Sequence, residues 1–222
     1  MISAFALTLS ACGGGSDEDE ILNTGSSTTN SSGSSDDNNS STTTTYVATI
    51  YASDNALLAS VLAGLIDGVD LDSDGNALIT QNAIDATTKL YISDKGLSSL
   101  LGIEHFVNLT TLDFNNNTIT SVDLSTFTAL TYLDCSYNQM TSLELDDLAK
   151  LVVLDCSYNQ LSQLDISMLE NLASLTCGSQ SSGIITLIIS DGQESLTNES
   201  DVTFQVTTSG TNVPNYEHQG KF

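Results

Sequence analysis

The sequence predicts a solenoid of short parallel β-strands, about four to five coils of 21–22 residues each, and three observations carry that prediction. Apolar positions recur every 21 residues, as at Leu109, Leu130, Leu151 and Leu172. Two stretches repeat almost letter for letter at that spacing: LTYLDCSYNQMTSLEL from Leu130 and LVVLDCSYNQLSQLDI from Leu151. An asparagine holds one fixed place behind each strand segment, at Asn117, Asn138 and Asn159. A coil of this length cannot bury its own leucines, so coils stack and share a continuous apolar interior.

In chain order, the first segment is MISAFALTLSAC. Its apolar run is too short to span a bilayer and reads as a targeting segment. Leu9-Ser10-Ala11-Cys12 resembles the lipobox of bacterial lipoproteins, although no Lys or Arg precedes the apolar run. That resemblance implies a signal peptide over residues 1–11 and a lipid on Cys12. With Gly13 next instead of an aspartate, it implies the outer membrane. The cluster Asp17-Glu18-Asp19-Glu20 is similar to surface-export signals of some Bacteroidetes lipoproteins, which leaves cell-surface exposure open. Residues 12–45 have almost no apolar side chains to bury and are expected to form a disordered, acidic, Ser/Thr/Asn-rich tether.

Residues 46–88 are expected to cap the N-terminal end of the solenoid. A short alternating segment leads to a helix starting near Ser53-Asp54, both good capping residues. Then comes DLDSDGNALITQ. Its Asp70, Asp72, Asp74 and Gly75 take the first, third, fifth and sixth places of an EF-hand-like loop, and Asn76 offers a carbonyl at the next coordinating place. Gln81 stands in the last place, where a calcium loop has a bidentate glutamate. The expectation is therefore a weak Ca2+ site that stiffens the cap, followed by a second short helix from near Thr80. The alternative is a solvated turn whose aspartates cap neighbouring amides.

Residues 89–180 carry the repeats. Their pattern, L-x-x-L-x-[FC]-x-x-N-x-[IML]-x-x-[VL]-x-[LI], is that of leucine-rich repeats. An earlier, irregular coil shows at Leu90, Ile92, Leu97 and Leu100, with Lys95 in the asparagine's place. The run through GIEHFVNLTTL resembles internalin-type bacterial leucine-rich repeat proteins, and the resemblance implies a concave face of short strands on which partners bind. Cys135, Cys156 and Cys177 share the inward strand position with Phe114 and are expected to act as small core hydrophobes. They are poor zinc ligands, since zinc wants four converging ligands and no histidine shares the position. Residues 181–211, with GIITLIIS and VTFQVTT, are expected to form a β-hairpin C-terminal cap, and 212–222 a disordered tail.

Between the inward positions lie the residues expected on the concave face. Asp113, Asp134 and Asp155 form one column, and stacked like charges call for a cation, a basic partner or sugar hydroxyls. Ser93, Asn115, Ser136 and Ser157 form a second. Tyr137 and Tyr158 add flat amphipathic area of the kind enriched at interfaces. The alternative is a ladder inherited by duplication and tolerated by water and salt.

The charge balance narrows the partners. Four lysines and no arginine stand against 28 acidic residues, a formal charge of −24. No cationic surface exists to neutralise nucleic-acid phosphates or to hold an anionic membrane, so a lipid anchor would be the membrane contact. His105 and His218 lie far apart, and no nucleophile, phosphate-loop or zinc-protease motif is present, so no catalytic residue is expected. The expected function is an envelope-anchored, non-enzymatic module for protein binding or adhesion through the concave face. The alternatives are a calcium-stiffened structural component of the envelope and a glycan-capture lipoprotein.

Overall fold

The computed structural model describes residues 44–207 apart from 194, 198 and 199. The expected signal peptide, Cys12, the tether up to residue 43 and the tail from residue 208 lie outside the described residues. The chain divides into two compact units between Ala83 and Ile84.

The first unit contains β1 (Tyr46–Ile50), α1 (Ala52–Leu65), β2 (Val69–Leu71) and β3 (Ala77–Thr80), followed by α2 (Gln81–Ala86). β3 lies between β1 and β2, antiparallel to both. Ile50, Leu58, Leu62, Val69, Ala77 and Ile79 are buried and form its core. The start of α1 is capped differently from the Ser53-Asp54 expectation. Asn55 has non-helical φ and ψ, and its Oδ1 accepts the N–H of Leu58 at 3.3 Å. Regular helix therefore begins after Asn55, with that asparagine as its cap. The N–H of Ala52 is taken at 2.9 Å by Asn76 Oδ1 from the β2–β3 turn.

The second unit is the solenoid. It contains β4 (Lys89–Tyr91), β5 (Thr111–Asp113), β6 (Tyr132–Asp134), β7 (Val153–Asp155), β8 (Gln163–Asp165), β9 (Ser174–Thr176), β10 (Ile185–Ser190) and β11 (Val202–Thr207). Five of these, in the order β4-β5-β6-β7-β9, form one parallel sheet with a single strand from each coil. Leu90, Leu112, Leu133, Leu154 and Leu175 are in register and buried at the centre of each strand. Phe114, Cys135, Cys156 and Cys177 are fully buried one step further on, as the repeat predicts. The chain leaves each coil's far side by two tight turns in succession, for example Phe127 N–H to Leu124 O at 3.0 Å and Leu130 N–H to Phe127 O at 2.9 Å. These turns seat a further buried column of the same period, Phe106, Phe127, Leu148 and Leu169.

The asparagines turn the chain out of each strand and tie adjacent coils together. Asn138 Oδ1 accepts the N–H of Ile119 at 2.9 Å, in the preceding coil. Its Nδ2 donates to Phe114 O at 3.1 Å in that coil and to Cys135 O at 3.2 Å in its own. Asn117 and Asn159 repeat this arrangement. A short side chain with one acceptor and two donors satisfies backbone groups that the strand ladder no longer reaches.

The C-terminal cap departs from the expected hairpin. β10 runs parallel to β11 and parallel to β8, with Leu187 opposite Leu164. Ile185, Leu187 and Ile189 are buried at a strand's period of two. This second sheet, β11-β10-β8, thus continues the column begun by Leu164 and is separate from the sheet that holds β7 and β9. A tight turn would make β11 antiparallel to β10; the eleven residues 191–201 separate the two strands, and they pair in parallel.

Candidate functional site

The five-stranded sheet presents two outward columns. In the first, Tyr91, Asp113, Asp134, Asp155 and Thr176 stand in register on neighbouring strands. The second is Lys89, Thr111, Tyr132, Val153 and Ser174. Reading the motif forward from its inward leucines passes over this second column. Strand periodicity is the signal that finds it, because with Leu133 inward both Tyr132 and Asp134 must face out. Tyr132 is half-buried, and its hydroxyl is held above the ordinary tyrosine range by burial first, then by the charges of Asp134, Asp113 and Asp155.

Each aspartate has a local task. Asp134 Oδ1 accepts the N–H of Ser136 at 3.0 Å and its hydroxyl at 2.6 Å. Asp155 does the same with Ser157, at 3.0 and 2.6 Å. Asp113 takes the N–H and the side-chain amide of Asn115, at 3.1 and 2.7 Å. These are Asx turns that end each strand and start the bend outward. One consequence corrects an expectation: Ser136 and Ser157, placed on the open face by their spacing, are only 4% and 5% exposed. The Asn115 amide also reaches Asp134 Oδ2 at 3.5 Å, so it bridges two neighbouring carboxylates and softens their repulsion. Burial still raises Asp113 above the usual carboxylate range, opposed by the Asn115 bonds and reinforced by the charges of Asp134 and Asp94.

The next residues in each coil, Asp94, Asn116, Tyr137, Tyr158 and Ser179, all have left-handed backbone, with φ from 53° to 57°. That conformation is uncommon for residues with a Cβ, and here it recurs at the same place in every coil, one residue before the ladder position held by Lys95, Asn117, Asn138, Asn159 or Gln180. It throws the side chain into solvent. Tyr137 and Tyr158, 51% and 48% exposed, stack with ring centroids 4.2 Å apart and planes 8° from parallel. The neighbouring Tyr158 hydroxyl, above all, raises the titration of Tyr137. The sheet therefore brings all five expected binding residues to one side of the coils: the three aspartates on the strands, the two tyrosines at the strand ends.

The expected calcium loop folds as the turn of the β2–β3 hairpin. Strand β2, not a helix end, leads into it, and Asp70 sits within that strand opposite Leu78. Asp70 Oδ2 accepts the hydroxyl of Tyr46 at 2.8 Å. Asp72 Oδ1 accepts the N–H groups of Asp74 and Asn76, both at 2.9 Å, and Asp72 Oδ2 accepts Asn76 Nδ2 at 2.8 Å. The Asn76 side chain, chiefly, holds the Asp72 carboxyl below the usual range. Asp74 is exposed, and Gln81 is the exposed first residue of α2. Both oxygens of Asp72 are thus turned to protein donors. Among the described residues no group of three or more His, Cys, Asp or Glu side chains is placed to hold a metal ion.

The repeat pattern, the five in-register strands and the asparagine ladder agree with the comparisons. The family described as Leucine Rich repeats (2 copies) matches residues 107–150 and 128–174. The fold is a leucine-rich repeat solenoid. An internalin (inlF) from Listeria monocytogenes matches over 72% of this chain and 44% of its own, with 25% identity and a TM-score of 0.51. The solenoid is internalin-like, and the chain spans under half the length of that internalin. The functional domain of InlJ from Listeria monocytogenes, described as including a cysteine ladder, matches over 55% of this chain and 32% of its own, with 23% identity and a TM-score of 0.38. No curated protein matches the chain by sequence. In the solenoid described here, Cys135, Cys156 and Cys177 are buried thiols.

Proposed function

We propose that this protein is a non-enzymatic binding module, anchored in a bacterial envelope through a lipid on Cys12, that holds a protein partner on its concave face. The observation that carries the reading is the in-register column Asp113, Asp134 and Asp155, beside Tyr132 and the exposed Tyr137–Tyr158 stack, on a sheet of five parallel strands. Solenoids use such extended faces for binding, and the aromatic–acidic mixture suits a partner with cationic and flat groups. An open, solvent-facing sheet does not enclose a reacting group, and its carboxylates sit in Asx turns, which supports binding over catalysis. Location in the outer membrane belongs to the same proposal and rests on the lipobox resemblance with Gly13; exposure at the cell exterior rests on the likeness of Asp17-Glu18-Asp19-Glu20 to surface-export signals.

The weak calcium site stays within this proposal as a stabiliser of the β2–β3 turn. An ion there would have to displace three donors from Asp72, which suits low, extracellular-type affinity. A glycan partner is the second reading, supported by the stacked tyrosines.

The test places a photo-crosslinking residue at Val153, on the concave face, or at Ser125, on the opposite side of the coil, in intact cells. The expected result is a discrete adduct from Val153 only, lost when Asp134→Asn and Asp155→Asn remove charge while keeping the turn acceptors. Equal adducts from both positions, or an adduct indifferent to the two substitutions, would defeat the concave-face reading. A glycan array that lights up and dims with Tyr137→Ala and Tyr158→Ala would favour the second reading.

A further inference from the structure

The tyrosine stack is shorter than the column that carries it. The five left-handed positions lie one per coil, and the strands that precede them are in register, so their Cβ atoms form a ladder. Rungs of such a ladder lie about 4.8 Å apart, a centroid separation at which offset flat groups stack. The rung before Tyr137 is Asn116, whose planar amide donates to Asp94. The rung after Tyr158 is Ser179, exposed and far too small to cover a ring. One face of Tyr158 is stacked on Tyr137, and the other looks across Ser179. A carboxylate stands at this gap, since Asp201 Oδ2 accepts the N–H of Ser179.

We propose that the place above Ser179 is a stacking site for an arginine side chain of the protein partner. The guanidinium is planar, so it can add the missing rung on the ring of Tyr158 at ordinary stacking distance. Its N–H groups can also pair with the Asp201 carboxylate at the same time. A lysine ammonium offers charge without the flat surface, and a sugar offers surface without the charge. The chain's own charge points the same way: it has 28 acidic residues and no arginine to occupy the place itself. This inference rests on the concave-face reading and names the partner group that the C-terminal end of that face recognises.

The experiment uses the full chain with ring-labelled tyrosine. Its seven tyrosine signals are assigned with Tyr137→Phe and Tyr158→Phe and titrated with N-acetyl-arginine amide. N-acetyl-lysine amide and methyl glucopyranoside serve as comparators. The expected result is a saturable shift of the Tyr158 ring, larger than that of Tyr137, with the lysine amide at least about fivefold weaker. Ser179→Tyr should abolish the shift by supplying the rung from within. Tyr137 and Tyr158 already occupy the same backbone conformation as Ser179, so that variant should fold. A Tyr158 ring that does not move, that moves as much with lysine or the glucoside, or that still moves in Ser179→Tyr would overturn the inference. If that happens while the Val153 adduct persists in wild type and disappears in the Asp134/Asp155 variant, the binding face stands and only the arginine site falls.

Discussion

Gln180 does in the fifth coil what Asn159 does in the fourth. Its Oε1 accepts the N–H of Leu161 at 2.9 Å, as Asn159 Oδ1 accepts that of Met140 at 3.0 Å. Its Nε2 donates to Cys156 O at 3.0 Å and Cys177 O at 2.7 Å, the pattern set by Asn159 with Cys135 and Cys156. The longer side chain fits at the end of the ladder, where it is still 6% exposed and fully bonded.

Asn159 should therefore be among the costliest positions to lose. Asn159→Ala strands the buried N–H of Met140, while the carbonyls of Cys135, Cys156 and Ser157 each keep another donor, so a loss of roughly 1–3 kcal/mol is expected. Urea unfolding followed by circular dichroism measures it. A loss below about 1 kcal/mol would mean that the ladder is ornamental to stability.

The three core thiols should be unreactive in the folded protein. Burial, then the charges of Asp134 and Asp155, pushes the Cys135 thiol well above its ordinary range, and the thiolate is the species that reacts. In a Cys12→Ala background, Ellman's reagent at mildly alkaline pH should label none of the three until urea is added. Prompt labelling of even one would contradict the packed column.

Asp113 should disfavour the folded state increasingly as pH rises. Its folded titration is raised, chiefly by burial, so its contribution is fully present below the unfolded carboxylate value and is lost as pH rises through the folded one. Asp113→Asn keeps the turn acceptor and removes the charge. Its stability advantage over wild type should be larger at about pH 7 than at about pH 3 by chemical denaturation. An advantage that is constant with pH would show that the charge is well solvated.

Asp72 should behave in the opposite sense. Its bonds to Asn76 lower its titration, so stability that is present above the unfolded value is lost as pH falls through the folded one. Asp72→Ala is expected to lower Tm with a chelator present as well as in millimolar calcium, because the Asx turn needs no metal. A Tm loss confined to the calcium-loaded sample would assign the carboxylate to the ion instead.

The solenoid was legible because its signal repeats: the inward leucines, the thiol column and the asparagines are each stated several times at one spacing. The five expected binding residues follow from that register, and the structure does set them on one side of the coils. Tyr132 was passed over because it occurs once in its column, between Thr111 and Val153, and only the pairing of strands shows that it shares the aspartates' face. Gln180 was hidden by its different chemistry, although its place in the period marks it. Tertiary structure alone decided three matters. It buried Ser136 and Ser157 under the aspartates, it turned the EF-hand-like segment into a hairpin, and it ran β10 and β11 parallel. The reason is common to all three. A periodic sequence fixes which apolar side chains must leave water, but hydrogen bonds settle the rest: Asx-turn bonds to Asp134, Asp155 and Asp72, and the pairing of β10 with β8 and β11.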